Sequence, residues 1–260
     1  MLELLQFRHS PYNEKVRWAL DFKRVPHRRR SLLPGPHVAI VRRLTGRTTT
    51  PVLRRDDGPP LDGSARILEW LEQRWPQPPL LPAGAAERAE ALRIQQWFDE
   101  ELTPRIRRAV LDALLRQPRG FAAVFADGRP AVQQLAYAVA VPLAAPLVRK
   151  GNGIDGSAAV SDGLRAADEA LDFVAQRAAP DGHLVGGRFG LADLVAASTL
   201  AVLAQPPASP MAGPRPCGAA FATLLQRFEA HPGIAWTRRL YVRHRGARQD
   251  FDGPSEGAER

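Results

Sequence analysis

A proline-rich segment divides this 260-residue chain into two parts with different hydrophobic patterns. The segment runs from residue 76 to residue 82, and four of its seven residues are proline. Proline fixes φ and has no amide donor, so such a run interrupts both helices and sheets. Strand-like runs alternate with helical patterns before the segment, and only helical patterns follow it. The sequence therefore predicts an α/β domain followed by an all-helical domain.

The first 75 residues show the element order β-α-β-α-β-β-α. Residues 2–7 form an apolar run typical of a buried strand, and Ser10-Pro11 begins a helix that extends to about residue 23. Further strands are predicted at 25–33, at 49–55 and near 60–61, and further helices at 37–44 and from 64 to about 75.

The second part contains helical periodicity. Apolar residues recur at every fourth position from Ile94 to Leu114 and predict a helix that Pro104 should kink or divide. The apolar stretch from Ala131 to Val148 contains two prolines and two glutamines, which favours a buried or ligand-facing helix over a bilayer span. Further helices are predicted at 121–149, 161–179, 190–204, 217–230 and 234–244.

Composition excludes several functional classes. The net charge is +9, but the arginines are scattered, with dense runs only at 28–30 and 238–248, so we expect a solvated surface and no nucleic-acid partner. The single cysteine, Cys217, excludes disulfide frameworks and CxxC chemistry, and the six histidines form no metal-binding motif. We therefore expect no metal. The amino terminus lacks signal-peptide features, so we expect a soluble, cytoplasmic protein.

Four short motifs occur in a fixed order: Ser10 to Arg17 (SPYNEKVR), Thr50 to Leu53 (TPVL), Ser64 to Leu68 (SARIL), and Leu184 to Asp193 (LVGGRFGLAD). In this order the motifs resemble those of the cytosolic glutathione transferase superfamily, as do the linker and the closing segment from His231 to Trp236.

The resemblance implies a thioredoxin-like domain over residues 1–76, a linker at 77–85 and an all-helical domain over 86–246. The tail at 247–260 is expected to be disordered. The resemblance also implies glutathione as co-substrate, a small-molecule electrophile as second substrate and a homodimer.

The resemblance assigns the catalytic role to Ser10, whose hydroxyl would donate to the glutathione sulfur. A donor and a helix amino terminus both stabilise a thiolate. Ser10 is equally well explained as an ordinary N-cap, and Tyr12 and Asn13 are alternative donors.

By resemblance, Thr50 and a cis Pro51 would pair with the tripeptide backbone, although Pro51 also suits the start of an edge strand. Ser64 and the amides after it would bind the γ-glutamyl carboxylate. Gly63 replaces a commonly acidic residue, which removes a partner for the γ-glutamyl ammonium unless Asp62 compensates. His9 and His37 would line the cleft, with either Arg8 or His37 bonding the glycyl carboxylate.

Gly190 is a second departure, because the family pattern has Ser or Thr there as a helix cap. Glycine is a tolerable N-cap and Asp193 can still reach back to it, so we interpret this site as structural. The proline-rich stretch at 205–216 either covers the cleft or runs over the surface.

Two functions follow. The first is a glutathione transferase-like detoxification enzyme that transfers the glutathione thiolate to an electrophile. The alternative is a non-catalytic protein on the same scaffold that binds a ligand or a partner, which Gly63 favours.

Overall fold

The computed structural model describes residues 1–178, 180–207, 209–213, 218–246 and 250–251. A mixed sheet with the order β4-β3-β1-β2-β5 forms the core of the first part. In this sheet β1 runs parallel to β2 and antiparallel to β3. The strands are β1 (Leu2–Gln6), β2 (His27–Ser31), β3 (Val52–Arg55), β4 (Gly58–Asp62) and β5 (Asp250–Phe251), and the helices are α1 (Pro11–Phe22), α2 (His37–Thr45) and α3 (Ser64–Arg74).

Alternating side chains of β1 enter two separate cores. Leu4 packs in the main core with Val16 of α1 and Ile67 of α3, whereas Leu5 packs in a small core with Val41 of α2. Successive strand residues point to opposite faces of a sheet, so helices cover both faces. This arrangement is the predicted thioredoxin-like fold.

The second part is helical in the described residues. Its central helix, α9, is buried along its whole length and packs against α1, α4, α8 and α11. The elements are α4 (Ala85–Trp97), a π-helical segment (Phe98–Leu102), α5 (Thr103–Leu115), α6 (Pro118–Phe125), α7 (Ala131–Gly151), α8 (Ser157–Arg177), α9 (Leu191–Ala204), α10 (Ala219–Phe228) and α11 (Pro232–His244).

A buried ionic network joins α1 to the end of α11. Glu14 accepts hydrogen bonds from Arg17 at 2.7 Å and from Arg245 at 2.9 Å, and Arg245 also bonds Asp21 at 2.7 Å. Burial opposes ionisation of Glu14, but Arg245 and Arg17 outweigh it and lower the Glu14 pKa. The expectation of a solvated basic run is therefore wrong for Arg245, which is buried.

The region from residue 94 to residue 151 differs from its predicted helices. The helix predicted at 121–149 is two helices, α6 and α7, separated by a loop that contains Gly128 and Pro130. The helix predicted from Ile94 to Leu114 is divided, but the division precedes Pro104: a π-helical segment at Phe98–Leu102 separates α4 from α5. Pro104 lies in the first turn of α5, which continues directly from that segment, because the Thr103 amide donates to the Phe98 carbonyl.

The expectation that the stretch from Ala131 to Val148 is buried is also wrong, while the alternative of a ligand-facing helix stays a prediction. Most of α7 is exposed, although Ala138 and Val141 are buried. Among the described residues, α7 is the one helix long and apolar enough to cross a membrane by length and composition.

The carboxy-terminal tail was expected to be disordered from residue 247 onward. Asp250 and Phe251 instead pair with β2 as the short strand β5. The remaining tail residues, at 247–249 and 252–260, lie outside the described residues, as does Cys217.

Candidate functional site

The loop between β1 and α1 places Ser10 at the amino end of a buried helix. The Ser10 backbone is extended, and its carbonyl accepts the amides of Asn13 and Glu14 at 3.1 and 2.9 Å. The hydroxyl makes no capping bond to the helix and has no other partner among the described residues. Ser10 therefore occupies the N-cap position while its half-buried hydroxyl stays free at the positive end of the α1 dipole.

The two alternative donors are engaged inside the protein. The Tyr12 hydroxyl donates to the Asp99 backbone carbonyl at 2.7 Å, and burial raises the Tyr12 pKa to about 12 against the opposing field of Arg107. The Asn13 side chain is fully buried, and its Nδ2 donates to Thr50 Oγ1 at 3.1 Å. Tyr12 thus holds the π-helical segment, and Asn13 holds the loop before β3.

A buried ion pair lies next to the turn that contains Ser10, and the sequence did not predict it. Lys15 of α1 bonds both carboxylate oxygens of Asp99 in the π-helical segment. Burial lowers the Lys15 pKa and raises the Asp99 pKa, and the charge of each residue opposes the shift of the other. The two residues are 84 positions apart, and no local pattern links them.

Thr50 and Pro51 lie beside the start of α1, because Asn13 bonds the Thr50 side chain. The Thr50–Pro51 peptide is cis, as the resemblance implies. Neither the amide nor the carbonyl of Thr50 has a hydrogen-bond partner among the described residues. Thr50 precedes β3, an inner strand of the sheet, so this unpaired main chain lies at the end of a strand and offers one donor and one acceptor to an extended peptide.

The start of α3 lies next to Pro51, since the Gly63 amide donates to the Pro51 carbonyl at 3.2 Å. Gly63 has φ +82° and ψ 130°, a conformation that favours glycine. Ser64 is the first residue of α3 and is largely buried. Hydrogen bonds therefore connect the starts of both helices through the cis-proline loop, and Ser10, Thr50 and Ser64 belong to one continuous edge.

Asp62 is already paired with arginines. Its carboxylate contacts Arg47 Nε at 2.9 Å and Arg66 Nη1 at 2.6 Å. A compensating role for Asp62 toward an ammonium group would compete with both guanidinium groups.

Two family profiles match the chain in the order of its two structural parts. "Glutathione S-transferase, N-terminal domain" matches residues 4–79, and "Glutathione S-transferase, C-terminal domain" matches residues 138–232. The chain belongs to the glutathione transferase superfamily. The first match contains Ser10, Thr50, Pro51 and Ser64. No curated protein sequence matches the chain.

Solved glutathione transferases share the fold. One from Rhodospirillum rubrum F11 is 23% identical with a TM-score of 0.60, over 98% of this chain and 90% of that one. One from Methylobacillus flagellatus KT with glutathione bound is 22% identical with a TM-score of 0.58, over 92% and 93%. One from Methylobacterium radiotolerans JCM 2831, in complex with glutathione sulfonate, is 24% identical with a TM-score of 0.53, over 90% and 92%.

Both ring nitrogens of His37 form hydrogen bonds within the protein. Nε2 bonds the Thr48 carbonyl at 2.9 Å, and Nδ1 accepts the Gly35 amide at 3.0 Å. Burial lowers the His37 pKa, which favours the neutral ring that these two bonds require. A glycyl carboxylate would have to displace one of them, so the structure shows His37 ordering the loop before Thr50.

Arg8 and His9 connect the same turn to the helical domain. Arg8 pairs with Asp127 at 2.9 Å, and His9 Nε2 lies 3.9 Å from the same carboxylate. His9 Nδ1 contacts the Met211 carbonyl at 3.2 Å. The described part of the 205–216 stretch therefore packs against the residue before Ser10, while residues 208 and 214–216 lie outside the described residues.

In the described residues, no group of three or more His, Cys, Asp or Glu side chains could hold a metal ion. A cavity of about 540 Å³ lies in the helical part, and none of its lining residues belongs to residues 1–76. It is lined by Arg93, Gln96, Trp97, Glu100, Glu101 and Phe173.

Proposed function

We propose that this protein binds glutathione along the edge from Ser10 to Ser64 and stabilises the glutathione thiolate with Ser10. The thiolate is then transferred to an electrophilic small molecule. The observation that supports the proposal is the free Ser10 hydroxyl at the amino end of α1. Asn13 of the same helix donates to the Thr50 side chain, which keeps Thr50 beside this helix end. Membership of the glutathione transferase superfamily supports the same activity.

The binding edge suits a tripeptide with an anionic end. The Thr50 amide and carbonyl would pair with the main chain of glutathione, as in an added strand. Ser64 and the first amides of α3 would hold the γ-glutamyl carboxylate, because a helix amino terminus attracts anions.

The chemistry follows from the acidity of a thiol. A free thiol with a pKa of about 8.5 is mostly protonated at neutral pH. The Ser10 hydroxyl and the α1 dipole favour the thiolate, and the thiol proton leaves to solvent. The sulfur lone pair then forms a C–S bond with the electrophilic carbon, and the leaving group departs with the electron pair of the broken bond.

Isothermal titration with glutathione tests binding. The Ser64→Ala variant should weaken binding, whereas Ser157→Ala should leave it unchanged. Ser157 is the control because it is also the first residue of a helix, α8, and follows a positive-φ glycine, Gly156 (φ +90°), but unlike Ser64 it is exposed. Absence of binding by the wild-type protein at millimolar glutathione would exclude the proposal.

Turnover tests the role of Ser10. Conjugation of glutathione to a chlorinated nitrobenzene should be lost in Ser10→Ala while glutathione affinity is kept. Equal turnover in both proteins would remove Ser10 from the mechanism.

A non-catalytic binding protein on the same scaffold is the second candidate. One specific observation favours it: Gly63 has no side chain, and Asp62 is held by Arg47 and Arg66, so neither residue offers a free carboxylate to the γ-glutamyl ammonium. This candidate predicts ligand or partner binding without glutathione-dependent turnover, and conjugation that depends on Ser10 would rule it out.

We further propose that the protein is a cytoplasmic homodimer with a role in detoxification, with no nucleic acid bound and no membrane span. Superfamily membership supports the dimer, and a single cysteine is compatible with a reducing compartment. Cell fractionation and the mass of the protein in solution test location and assembly.

A further inference from the structure

Arg107 of α5 lies beside the turn that contains Ser10 and has no anionic partner. Its guanidinium is close enough to the Tyr12 hydroxyl for the charge state of each group to affect the other. The Arg107 Nε atom is closed to solvent and makes no hydrogen bond, and no carboxylate in the described part of the chain pairs with this side chain. The residue as a whole is only half-buried, so a ligand can approach it.

The neighbouring arginines of α5 do have a carboxylate partner. Arg105 contacts Asp162 of α8 at 2.9 Å, and Arg108 lies 3.6 Å from the same carboxylate. Residues 105 and 108 are three positions apart and share the side of α5 that meets α8. Arg107 points from a different side of the helix, where the described residues supply no acid to it.

The isolation of Arg107 is unfavourable for the folded protein. Burial lowers the Arg107 pKa, the Tyr12 hydroxyl opposes this shift, and the charge of Arg108 adds to it. Tyr12 is no counter-ion at neutral pH, because burial raises its pKa to about 12. Since an arginine keeps its charge in proteins, the missing partner is an anion from outside the chain.

A missing backbone amide explains why Tyr12 and Arg107 meet. The segment before α5 has the π-helical register, in which an amide bonds the carbonyl five residues back. An amide at position 104 would therefore bond the Asp99 carbonyl, but Pro104 has none. The Tyr12 hydroxyl donates to this carbonyl instead, at 2.7 Å. This bond ties the start of α1 to the start of α5, and Arg107 lies one helical turn beyond Pro104.

We propose that Arg107 binds a carboxylate of the electrophilic substrate and so orients the reacting carbon toward the glutathione sulfur beside Ser10. A guanidinium donates two parallel hydrogen bonds to a carboxylate, and such pairs are among the strong polar contacts of proteins. One negative charge also balances the one unpaired positive charge, whereas a phosphate dianion would bring one charge too many into a half-buried site. The net charge of +9 attracts anions to the protein.

The inference rests on the proposed function and names the substrate class of the same site. Glutathione is the competing occupant, because it carries carboxylates of its own. Its proposed contacts, Thr50 and Ser64, lie in the first part of the chain, whereas Arg107 belongs to the helical part. The experiment therefore measures glutathione affinity alongside the response to a second anion.

Two substrates that differ in charge test the inference. A chloronitrobenzoate and the corresponding chloronitrobenzamide share the leaving group, and only the first carries a carboxylate. With each kcat/KM divided by the uncatalysed rate, the wild-type protein should prefer the benzoate. Arg107→Met should lower the benzoate-to-benzamide ratio by about ten- to a hundredfold, since it removes hydrogen bonds to a charged group. Arg107→Lys, which keeps the charge and loses the planar fork, should retain part of the preference.

Arg108→Met is the matched control, because Arg108 is the next residue of α5 and has Asp162 as its partner. It should leave the benzoate-to-benzamide ratio unchanged. Arg107→Met should also unfold at the same or a higher urea concentration than the wild type, because it removes an unpaired charge. A structural role for Arg107 predicts the opposite result: a lower midpoint and an equal loss of turnover with both substrates.

Binding of nitrobenzoate, which has no leaving group, tests capture of the carboxylate without turnover. In calorimetry with glutathione present, Arg107→Met should bind nitrobenzoate at least about tenfold more weakly than the wild type. An unchanged substrate ratio, an unchanged nitrobenzoate affinity, or a loss of glutathione affinity in Arg107→Met would each overturn the inference. A protein that binds nitrobenzoate through Arg107 but conjugates neither substrate would contradict the proposed function alone.

Discussion

Replacing Gly190 by serine should destabilise the protein, although the family pattern has Ser or Thr at this position. As an N-cap, serine is better than glycine by only a few tenths of a kcal/mol. The structure adds an opposing contact. A Cβ atom on residue 190 would lie 2.9 Å from the Leu80 carbonyl oxygen, which is closer than such atoms approach.

The cost follows from what must move. The Leu80 carbonyl accepts the Leu191 amide at 2.7 Å, so a shift that relieves the contact also lengthens this hydrogen bond. Forcing extra atoms into a packed site costs about 1–3 kcal/mol, which exceeds the gain from the cap. We therefore expect Gly190→Ser to lower the free energy of unfolding by about 1–3 kcal/mol, and Gly190→Ala by slightly more.

Gly84→Ser is the matched control. Gly84 is the N-cap of α4, and its added Cβ would meet the flexible Glu87 carboxylate at 3.4 Å. A serine at this position would complete a capping box with Glu87, so this variant should be more stable by a few tenths of a kcal/mol.

Urea unfolding followed by tryptophan fluorescence measures both changes as shifts of the midpoint at constant slope. A Gly190→Ser variant as stable as the wild type, or a Gly84→Ser variant that loses as much, would refute the packing argument.

Three further predictions concern buried charge and backbone strain. Burial raises the Asp193 pKa to about 7 although backbone amides, including those of Leu184 and Gly190, donate to its carboxylate. As pH rises from about 4 to 7 the unfolded state therefore loses the proton first, and the free energy of unfolding falls. The stability advantage of wild type over Asp193→Asn in urea unfolding should thus be greater at pH 4 than at pH 7, by on the order of 4 kcal/mol, and a constant difference would contradict the burial argument. Arg245→Ala should lower the free energy of unfolding by about 3–5 kcal/mol, because it leaves Glu14 without its strongest partner. Arg238→Ala, which breaks an exposed ion pair, should lower it by at most about 1 kcal/mol. Equal shifts of the urea midpoint in the two variants would exclude this account. Gly63→Glu and Gly63→Ala should each lower the free energy of unfolding by about 1–3 kcal/mol, because residue 63 has a positive φ. In calorimetry only Gly63→Glu should bind glutathione more tightly than the wild type. Unchanged affinity would argue against a missing partner for the γ-glutamyl ammonium.

The sequence predicted the features that depend on neighbouring residues. Ser10-Pro11 marks a helix start because the N-cap and the first turn have local requirements, and the fold class follows from the change in periodicity at the linker. The resemblance also led to the cis bond before Pro51 and to Gly63 as a departure.

Features that depend on distant residues could not be predicted in this way. The partners Lys15 and Asp99 meet only when the two domains fold together, and Arg245 looked like part of a solvated run until α1 covered it. Composition predicted burial for α7 because an apolar helix in water normally packs on something. The structure leaves that face exposed.

Activation of the glutathione thiol by Ser10 is the central claim, and a pH titration of the thiolate absorbance of bound glutathione tests it most directly. The wild-type protein should lower the thiol pKa well below its free value of about 8.5. Ser10→Ala should raise it back toward that value with little change in affinity. An identical pKa in the two proteins, or one that equals the free value in the wild type, would contradict the account.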